Sequence, residues 1–297
     1  MGMSFLSDSR KRTPYIFIFP FILSFLLFFL YPVISTVIMS FQEILPGDVQ
    51  FIGFKNYRKL FNPTFFTAVK NSLTYMVLTI VVLIPIPMVL ATLLNFIPGR
   101  KSYVLRGMLF IPALMSVVVV GTIFRLFFAS SDQALVNQFV SLFGIESQAW
   151  ILAGSWQAMF LLVLIATWRW TGINIVYFLS GLQQVPNELY ESAEIDGAGP
   201  VQKFFRITIP LLKPTTVFVT AISIFGGLAM FEESYILWNQ GSPNNSGLTI
   251  VRYIYRRGFE AADMGFGAAV GIALLFMVFV ISFTFLKLTG FFKQGRV

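Results

Sequence analysis

Residues 182–213, LQQVPNELYESAEIDGAGPVQKFFRITIPLLK, form a charged stretch in a 297-residue chain that is otherwise mostly apolar. Four acidic and three basic side chains fall within it, and apolar runs long enough to cross a bilayer lie on both sides. Connecting segments outside a rigid scaffold often carry function. We therefore expect this stretch to face a soluble partner, and the interpretation of the rest of the chain follows from it.

Composition assigns the chain to the membrane proteins. Hydrophobic residues make up 57% of the sequence and charged residues only 11%, too few to cover the surface of a soluble protein of this length. The chain has no Cys and no His, which excludes disulfides, thiol chemistry and metal sites built on those ligands. It also contains no Walker-type phosphate loop. The net charge of +8 is scattered between apolar runs, which is typical of positive-inside loops rather than of a nucleic-acid-binding arm.

Six apolar runs predict six membrane-spanning helices, because a bilayer core of about 30 Å requires about 20 residues of helix. The first run follows three basic residues but is too long for a signal peptide, so we expect it to be retained. Outside the predicted spans, twelve lysines and arginines fall in segments on the same side of the membrane as the N-terminus, and seven fall in segments on the opposite side. Because basic residues are enriched in cytoplasmic segments, this difference predicts cytoplasmic termini. The predicted spans are residues 14–40, 71–95, 107–128, 156–181, 214–238 and 265–289. The fold class expected is an all-α integral membrane protein with a single transmembrane domain over residues 1–297.

Turn and cap residues within 182–213 predict two short helices. Asn187 is a favourable N-cap, and Gly197 can adopt the left-handed conformation that ends a helix. Pro200 suits the first turn of a second helix over residues 200–209, which Pro210 would close. The result is a helix–turn–helix projection, here called the polar elbow (residues 182–213). An ordinary solvated loop is the alternative.

The polar elbow resembles the EAA loop of permease subunits of binding-protein-dependent ABC importers. The matching residues are Glu191-Ser192-Ala193, Gly197 and Ile207-x-Ile209-Pro210, at the spacing of that motif. The resemblance implies a type I importer permease (MetI-like) fold, with its core over about residues 67–289. It also implies that the elbow docks on an ATPase subunit. That role would fall to Glu191, Ala193, Asp196 and Gly197.

Other segments resemble the sugar-importing branch of this family. They include Tyr177–Gln183, Gly241-Ser242-Pro243 and Phe51–Tyr57, whereas Phe231–Tyr235 and Met39–Gly47 resemble permeases for arabino-oligosaccharides of Gram-positive bacteria. The resemblance implies a non-catalytic subunit of the cell membrane that moves a carbohydrate by alternating access. Its expected partners are a second related permease, two ATP-binding subunits and an extracellular sugar-binding protein. ATP and Mg²⁺ would be bound by the ATPase, and this chain would bind no cofactor of its own.

Polar residues within the fourth span indicate a substrate site. Charges inside a bilayer are costly and mark functional positions by default. Arg169 lies near the middle of this span, at the edge of a helical face of four polar or aromatic residues, and the resemblance implies a sugar site at this depth. The candidate substrate-binding residues are Thr167, Arg169, Trp170, Thr171 and Asn174. The alternative is structural: Trp170 packs, the threonine hydroxyls bond their own helix, and Arg169 pairs with a carboxylate.

Two acidic residues in the fifth span predict a buried ion pair. Glu232 and Glu233 lie inside the outer end of that span, and Arg125 lies in the outer third of the third span. Pairing Arg125 with one of the glutamates would offset the burial of both charges.

Three other functions stay open at this point. One is an importer permease for another solute, such as a polyol or a glycerol phosphate. A membrane enzyme would need paired carboxylates, but adjacent glutamates point about 100° apart on a helix. A secondary transporter is disfavoured because no inverted halves are detectable in the sequence.

Overall fold

Helices account for most of the chain, because backbone groups in lipid must form their hydrogen bonds within the segment. The computed structural model describes residues 3–45, 47–154 and 156–291. Lys293 and Arg296, which the charge count includes, lie outside the described residues. The α-helices are α1 (Met3–Phe25), α2 (Tyr31–Met39), α3 (Lys55–Lys59), α4 (Pro63–Leu83), α5 (Pro85–Phe96), α6 (Arg100–Leu114), α7 (Val117–Phe127), α8 (Leu135–Ser141), α9 (Trp156–Leu182), α10 (Asn187–Ile195), α11 (Pro200–Lys203), α12 (Ile209–Leu211), α13 (Lys213–Leu228), α14 (Glu232–Leu237), α15 (Ile250–Tyr255) and α16 (Met264–Leu288).

Five helical stretches are long and apolar enough to cross a membrane, and a sixth consists of two helices with a bend between them. These five stretches are Pro14–Met39, Pro63–Phe96, Trp156–Leu182, Lys213–Leu237 and Met264–Leu288, of which Lys213–Leu237 joins α13 and α14 across a short break. The bent pair is α6 and α7, which meet at 92°. With the bent pair counted as one span, the prediction of six spans is confirmed, and each predicted run corresponds to one of these stretches.

The third span differs from the predicted continuous helix over 107–128. Met115 and Ser116 have extended backbone conformations between α6 and α7, with ψ of 142° and 136°. The third crossing is therefore broken into two helices.

Contacts divide the chain into two units. The first holds the described residues up to Phe61 and residues 254–273. Its β-hairpin pairs β1 (Gln42–Leu45) with β2 (Asp48–Phe51) in antiparallel register. The buried Asn56 amide donates hydrogen bonds to the backbone carbonyls of Ser40 and Gln42, at 3.1 and 2.8 Å. Asn56 thereby ties α3 to the segment that joins α2 to the hairpin.

The second unit holds residues 62–253 and the described residues from 274 onwards. Its central element is α9, which packs against α4, α5, α6 and α13. Leu161, Ile165 and Phe178 on α9 are completely buried. Gly172 allows the backbone of α6 to approach, because a Cβ at that position would collide with the carbonyl oxygen of Leu109. Helix α9 is therefore fixed on several sides within this unit.

The polar elbow contains the two predicted helices, with two differences in detail. Helix α10 begins at Asn187 itself, so Pro186 is the cap residue and the predicted side-chain cap by Asn187 is wrong. Gly197 has φ +80°, and the Ala198 amide donates to the Ala193 carbonyl at 2.8 Å, which confirms the predicted glycine stop.

The second elbow helix does not end at Pro210. It continues from α11 through a π-helical turn, Phe204–Thr208, into α12. A proline inside an α-helix clashes with the carbonyl four residues earlier, and a widened turn before it displaces that carbonyl. The π-turn explains how Pro210 is accommodated within the helix and why the predicted end was two residues too early.

Candidate functional site

A cavity of about 460 Å³ lies inside the second unit, between α4, α9, α13 and α14. Helix α9 contributes Arg169, Trp170 and Asn174 to its lining, and α14 contributes Glu232 and Glu233. A concave pocket lined by apolar and aromatic side chains with a few convergent polar groups is the usual form of a small-molecule site. This cavity is the candidate substrate site.

Arg169 is the centre of the polar groups in the cavity. Its Nη1 donates a hydrogen bond to Oε1 of Glu233 at 3.2 Å and lies 3.5 Å from Oε2 of Glu232. The side chains of Arg169 and Glu233 are 11% and 7% exposed, whereas that of Glu232 is 61% exposed. Glu233 is therefore the buried counter-ion of Arg169, and Glu232 lies on the solvent-accessible side of the same guanidinium.

The predicted ion pair with Arg125 is wrong. Arg125 is exposed near the end of α7 and forms no ion pair with any described residue. The cation paired with both glutamates is Arg169. Pairing of Arg169 with a carboxylate was the structural alternative in the sequence analysis. The difference arises because the fifth span is interrupted: α13 ends at Leu228 and α14 begins at Glu232.

The interruption explains the position of both carboxylates. They occupy the first turn of α14, where the helix dipole stabilises negative charge. Sequence spacing cannot show which of two intramembrane arginines such a turn will face. The break had no strong signal in the sequence beyond the adjacent Gly226 and Gly227.

Arg169 retains donors that no described residue uses. Its Nε is buried without a hydrogen-bond partner, and its Nη2 makes no hydrogen bond to a described residue. Its Cζ lies 4.8 Å from the ring centroid of Trp170, within the range of a cation–π interaction. Trp170 is 37% exposed and lines the cavity. The guanidinium is thus held on two sides while part of its donor capacity remains free.

The structure brings only part of the predicted polar face to the cavity. Asn174 lines it, although its amide donates a hydrogen bond to the Leu83 carbonyl at 3.0 Å. Thr167 and Thr171 do not line it, and their hydroxyls donate to carbonyls four residues earlier on α9. Threonine commonly bonds its own helix in this way.

Three aromatic residues that sequence reasoning missed also line the cavity. Tyr75 comes from α4, Tyr177 from α9, and Phe231 from the break before α14. The Tyr75 hydroxyl makes no hydrogen bond with a described residue, although Tyr75 is 4% exposed. Nothing local in the sequence identifies Tyr75, because its proximity to α9 depends on helix packing.

The polar elbow presents unpaired carboxylates and apolar side chains on its surface. Glu191 and Asp196 are exposed, and their side chains form no hydrogen bond or ion pair with a described residue. Ile195 is 88% exposed. A hydrogen bond from Lys203, together with its positive charge, holds the pKa of the Glu194 carboxyl below its ordinary value. These features suit a surface that contacts another protein.

An ion pair and a hydrogen bond connect the two helical parts of the elbow. Lys203 Nζ lies 2.9 Å from Oε2 of Glu194, which joins its two helical parts. The hydroxyls of Tyr190 and Thr208 lie 3.0 Å apart and join the same parts nearer the membrane spans. The elbow is therefore braced internally by contacts between its two helical parts.

The sequence matches a family of known proteins. Residues 83–289 match the family model described as "Binding-protein-dependent transport system inner membrane component". The chain is 54% identical over 288 residues to the arabinooligosaccharides transport system permease protein AraP of Halalkalibacterium halodurans, covering 97% of this chain and 91% of that protein. It is 33% identical over 274 residues to the lactose transport system permease protein LacF of Rhizobium radiobacter, covering 91% of each.

A solved structure shares the fold. It is a bacterial alginate ABC transporter in complex with an alginate pentasaccharide-bound periplasmic protein. One of its chains matches this one with a TM-score of 0.85 and 25% identity, covering 95% of this chain and 96% of that chain.

The assignment of the buried ion pair can be tested by stability measurements on the purified protein in detergent. Arg169→Ala should lower stability by about 3–5 kcal/mol, because it leaves the Glu233 carboxylate buried without a counter-ion. The double variant Arg169→Met, Glu233→Leu should recover most of that loss. Arg125→Ala is the matched control and should leave the unfolding temperature unchanged. A large loss for Arg125→Ala, with none for Arg169→Ala, would restore the original pairing.

Proposed function

Because the chain belongs to the family of binding-protein-dependent transport system inner membrane components, we propose that it is a permease subunit that imports an oligosaccharide by alternating access. It is a multi-pass membrane protein. The proposed assembly contains a second related permease, two ATP-binding subunits and an extracellular sugar-binding protein. ATP and Mg²⁺ bind to the ATP-binding subunits, and this chain performs no covalent chemistry.

One structural observation carries the mechanism: the polar elbow is continuous at both ends with helices that form the cavity wall. Helix α9 enters the elbow at Leu182, and α13 leaves it at Lys213. Both helices line the cavity. Gly181 packs against the Thr215 side chain, so the two helices are in close contact where they join the elbow. A displacement of the elbow therefore changes the spacing of two cavity walls.

The elbow is the proposed contact with the ATPase. Glu191 and Asp196 offer exposed carboxylates. Ala193 and Gly197 take part in the compact turn that ends α10. Closure of the ATPase would move this braced segment and expose the cavity to the opposite side of the membrane. Interfaces that transmit motion need a rigid element of this kind.

The cavity is the proposed sugar site. The Trp170 ring can stack on the apolar face of a sugar, and Arg169 and Asn174 can bond hydroxyl groups. Thr167 and Thr171 lie outside the lining, so we assign the direct contacts to the other three residues. An importer for an anionic solute, such as a glycerol phosphate, would need a cavity cation that is not already neutralised. Arg169 is paired with two carboxylates, which favours the sugar.

Cytoplasmic termini are part of the proposal and can be tested by labelling single cysteines, because the chain has no native Cys. A Cys at Asn244 should react with a membrane-impermeant maleimide in intact cells. A Cys at Glu194 should react only after permeabilisation, because the elbow must face the ATPase. The reverse pattern would invert the orientation.

Coupling through the elbow can be tested with Glu191→Lys. Reversing an interface charge is strongly unfavourable, so ATPase docking should weaken by about tenfold or more, and sugar uptake should fall with it. Glu146→Lys changes an exposed acidic residue outside the elbow and is the matched control. Uptake into proteoliposomes should collapse for the first variant only. Equal uptake by both variants would remove Glu191 from the contact.

Sugar contact can be tested with Trp170→Ala. Loss of a stacking ring that also holds a guanidinium costs about 1–2 kcal/mol, so uptake should fall by about five- to thirtyfold at limiting substrate. Trp168→Ala is the control, since Trp168 packs against Phe124 and does not line the cavity. ATPase stimulation by the binding protein should be normal in both variants. Normal uptake by Trp170→Ala would place the sugar elsewhere.

A further inference from the structure

We propose that Glu232 is a specificity-determining residue that makes the cavity accept neutral polyhydroxylated solutes and reject anionic ones. The inference rests on the proposed function, because it concerns the solute that enters the same cavity. It gives the Glu232 carboxylate a role in selecting the solute, in addition to the substrate contacts proposed for Trp170 and Arg169.

The charges that line the cavity do not cancel. Arg169, Glu232 and Glu233 are the ionisable residues of Asp, Glu, Lys or Arg type among the described lining residues. One guanidinium and two carboxylates leave one excess negative charge when all three are ionised. Any solute in the cavity is therefore close to a surplus carboxylate.

The two carboxylates have different roles because their burial differs. Glu233 is 7% exposed and makes the 3.2 Å hydrogen-bonded contact, so it is the structural counter-ion. Glu232 is 61% exposed, lies 3.5 Å from the same nitrogen and is not needed to keep the guanidinium paired. Glu232 therefore holds the carboxylate that is available to a solute.

A neutral sugar fits this arrangement of donors and acceptors. Its hydroxyl groups can donate to the Glu232 carboxylate, and charge-assisted hydrogen bonds of this kind are stronger than neutral ones. The same hydroxyls can accept a hydrogen bond from Nη2 of Arg169, which donates to no described residue and, unlike Nε, is not buried. The aromatic ring of Trp170 lies beside these groups and offers a surface for the sugar ring.

The electrostatic potential in the cavity disfavours an anionic solute. The one cation of the lining is already shared by two carboxylates, so it attracts a further anion only weakly. Repulsion between two unit charges about 6 Å apart in a partly solvated site is worth roughly ten- to a hundredfold in affinity. The field of Glu232 is thus large enough to decide between a neutral sugar and its acidic counterpart.

The test uses the assembled transporter in nanodiscs without its binding protein, so that the specificity of the binding protein does not enter. Two probes are compared: arabinotriose, and arabinotriose with one terminal hydroxymethyl group oxidised to a carboxylate. Dissociation constants are measured by equilibrium dialysis of the radiolabelled sugars. The protein should bind the neutral probe at least about tenfold more tightly than the acidic one. Glu232→Gln, which keeps the shape and removes the charge, should reduce that ratio to about threefold or less.

Two further variants make the result decisive. Glu146→Gln removes an exposed acidic charge outside the cavity and should leave the ratio unchanged. Glu232→Lys should reverse the preference, because the cavity then carries a net positive charge. An unchanged ratio in Glu232→Gln, or equal binding of both probes by the unmodified protein, would overturn the role of Glu232. Failure of the complete transporter, with its binding protein, to import any arabino-oligosaccharide would instead refute the proposed function.

Discussion

The structure depends on the buried cation of Arg169 and the way its charge is balanced. A guanidinium in the middle of a membrane-spanning helix is costly unless a counter-ion reaches it. Glu233 provides that counter-ion from the fifth span, at 3.2 Å from Arg169. The fifth span breaks after Leu228 and restarts at Glu232, so that Glu233 lies in the first turn of α14. The cavity lies where this break faces α9.

The same constraint connects the cavity to the polar elbow. Helix α9 carries Arg169 and continues to Leu182, and the helix that leads to the glutamates begins at Lys213. The elbow between them also packs against α5 through Leu182 and Leu212, and internal contacts such as Lys203 with Glu194 brace it. A force applied to the elbow therefore reaches both sides of the ion pair. In the proposed assembly, this is how an ATP-binding subunit would act on a solute inside the membrane without touching it.

Packing around α9 limits how the walls can move. Gly172 brings the backbone of α6 against it, and Leu161, Ile165 and Phe178 are fully buried among its neighbours. Packed interiors rearrange between discrete states rather than deform continuously. The third and fifth spans are each interrupted, between Leu114 and Val117 and between Leu228 and Glu232, where the backbone is not held by a continuous helix.

The sequence by itself determined the membrane class, the positions of the apolar spans and the shape of the polar elbow. Each of these follows from local information: apolar run length, the glycine at 197, and the prolines at 200 and 210. Even there the precise helix ends, at Asn187 and beyond Pro210, were displaced by one or two residues, because capping and π-turns depend on small backbone adjustments.

Only the tertiary structure decided which groups form the cavity. Arg169 and Glu233 are 64 residues apart, and no periodicity links them. Both Arg125 and Arg169 suited the glutamates on charge alone, and the choice was made by the break before α14. Thr167 and Thr171 shared the expected helical face with Trp170, yet their hydroxyls bond their own helix. The physical reason is that spacing along a helix specifies a face, whereas the direction of that face depends on the packing of helices distant in sequence.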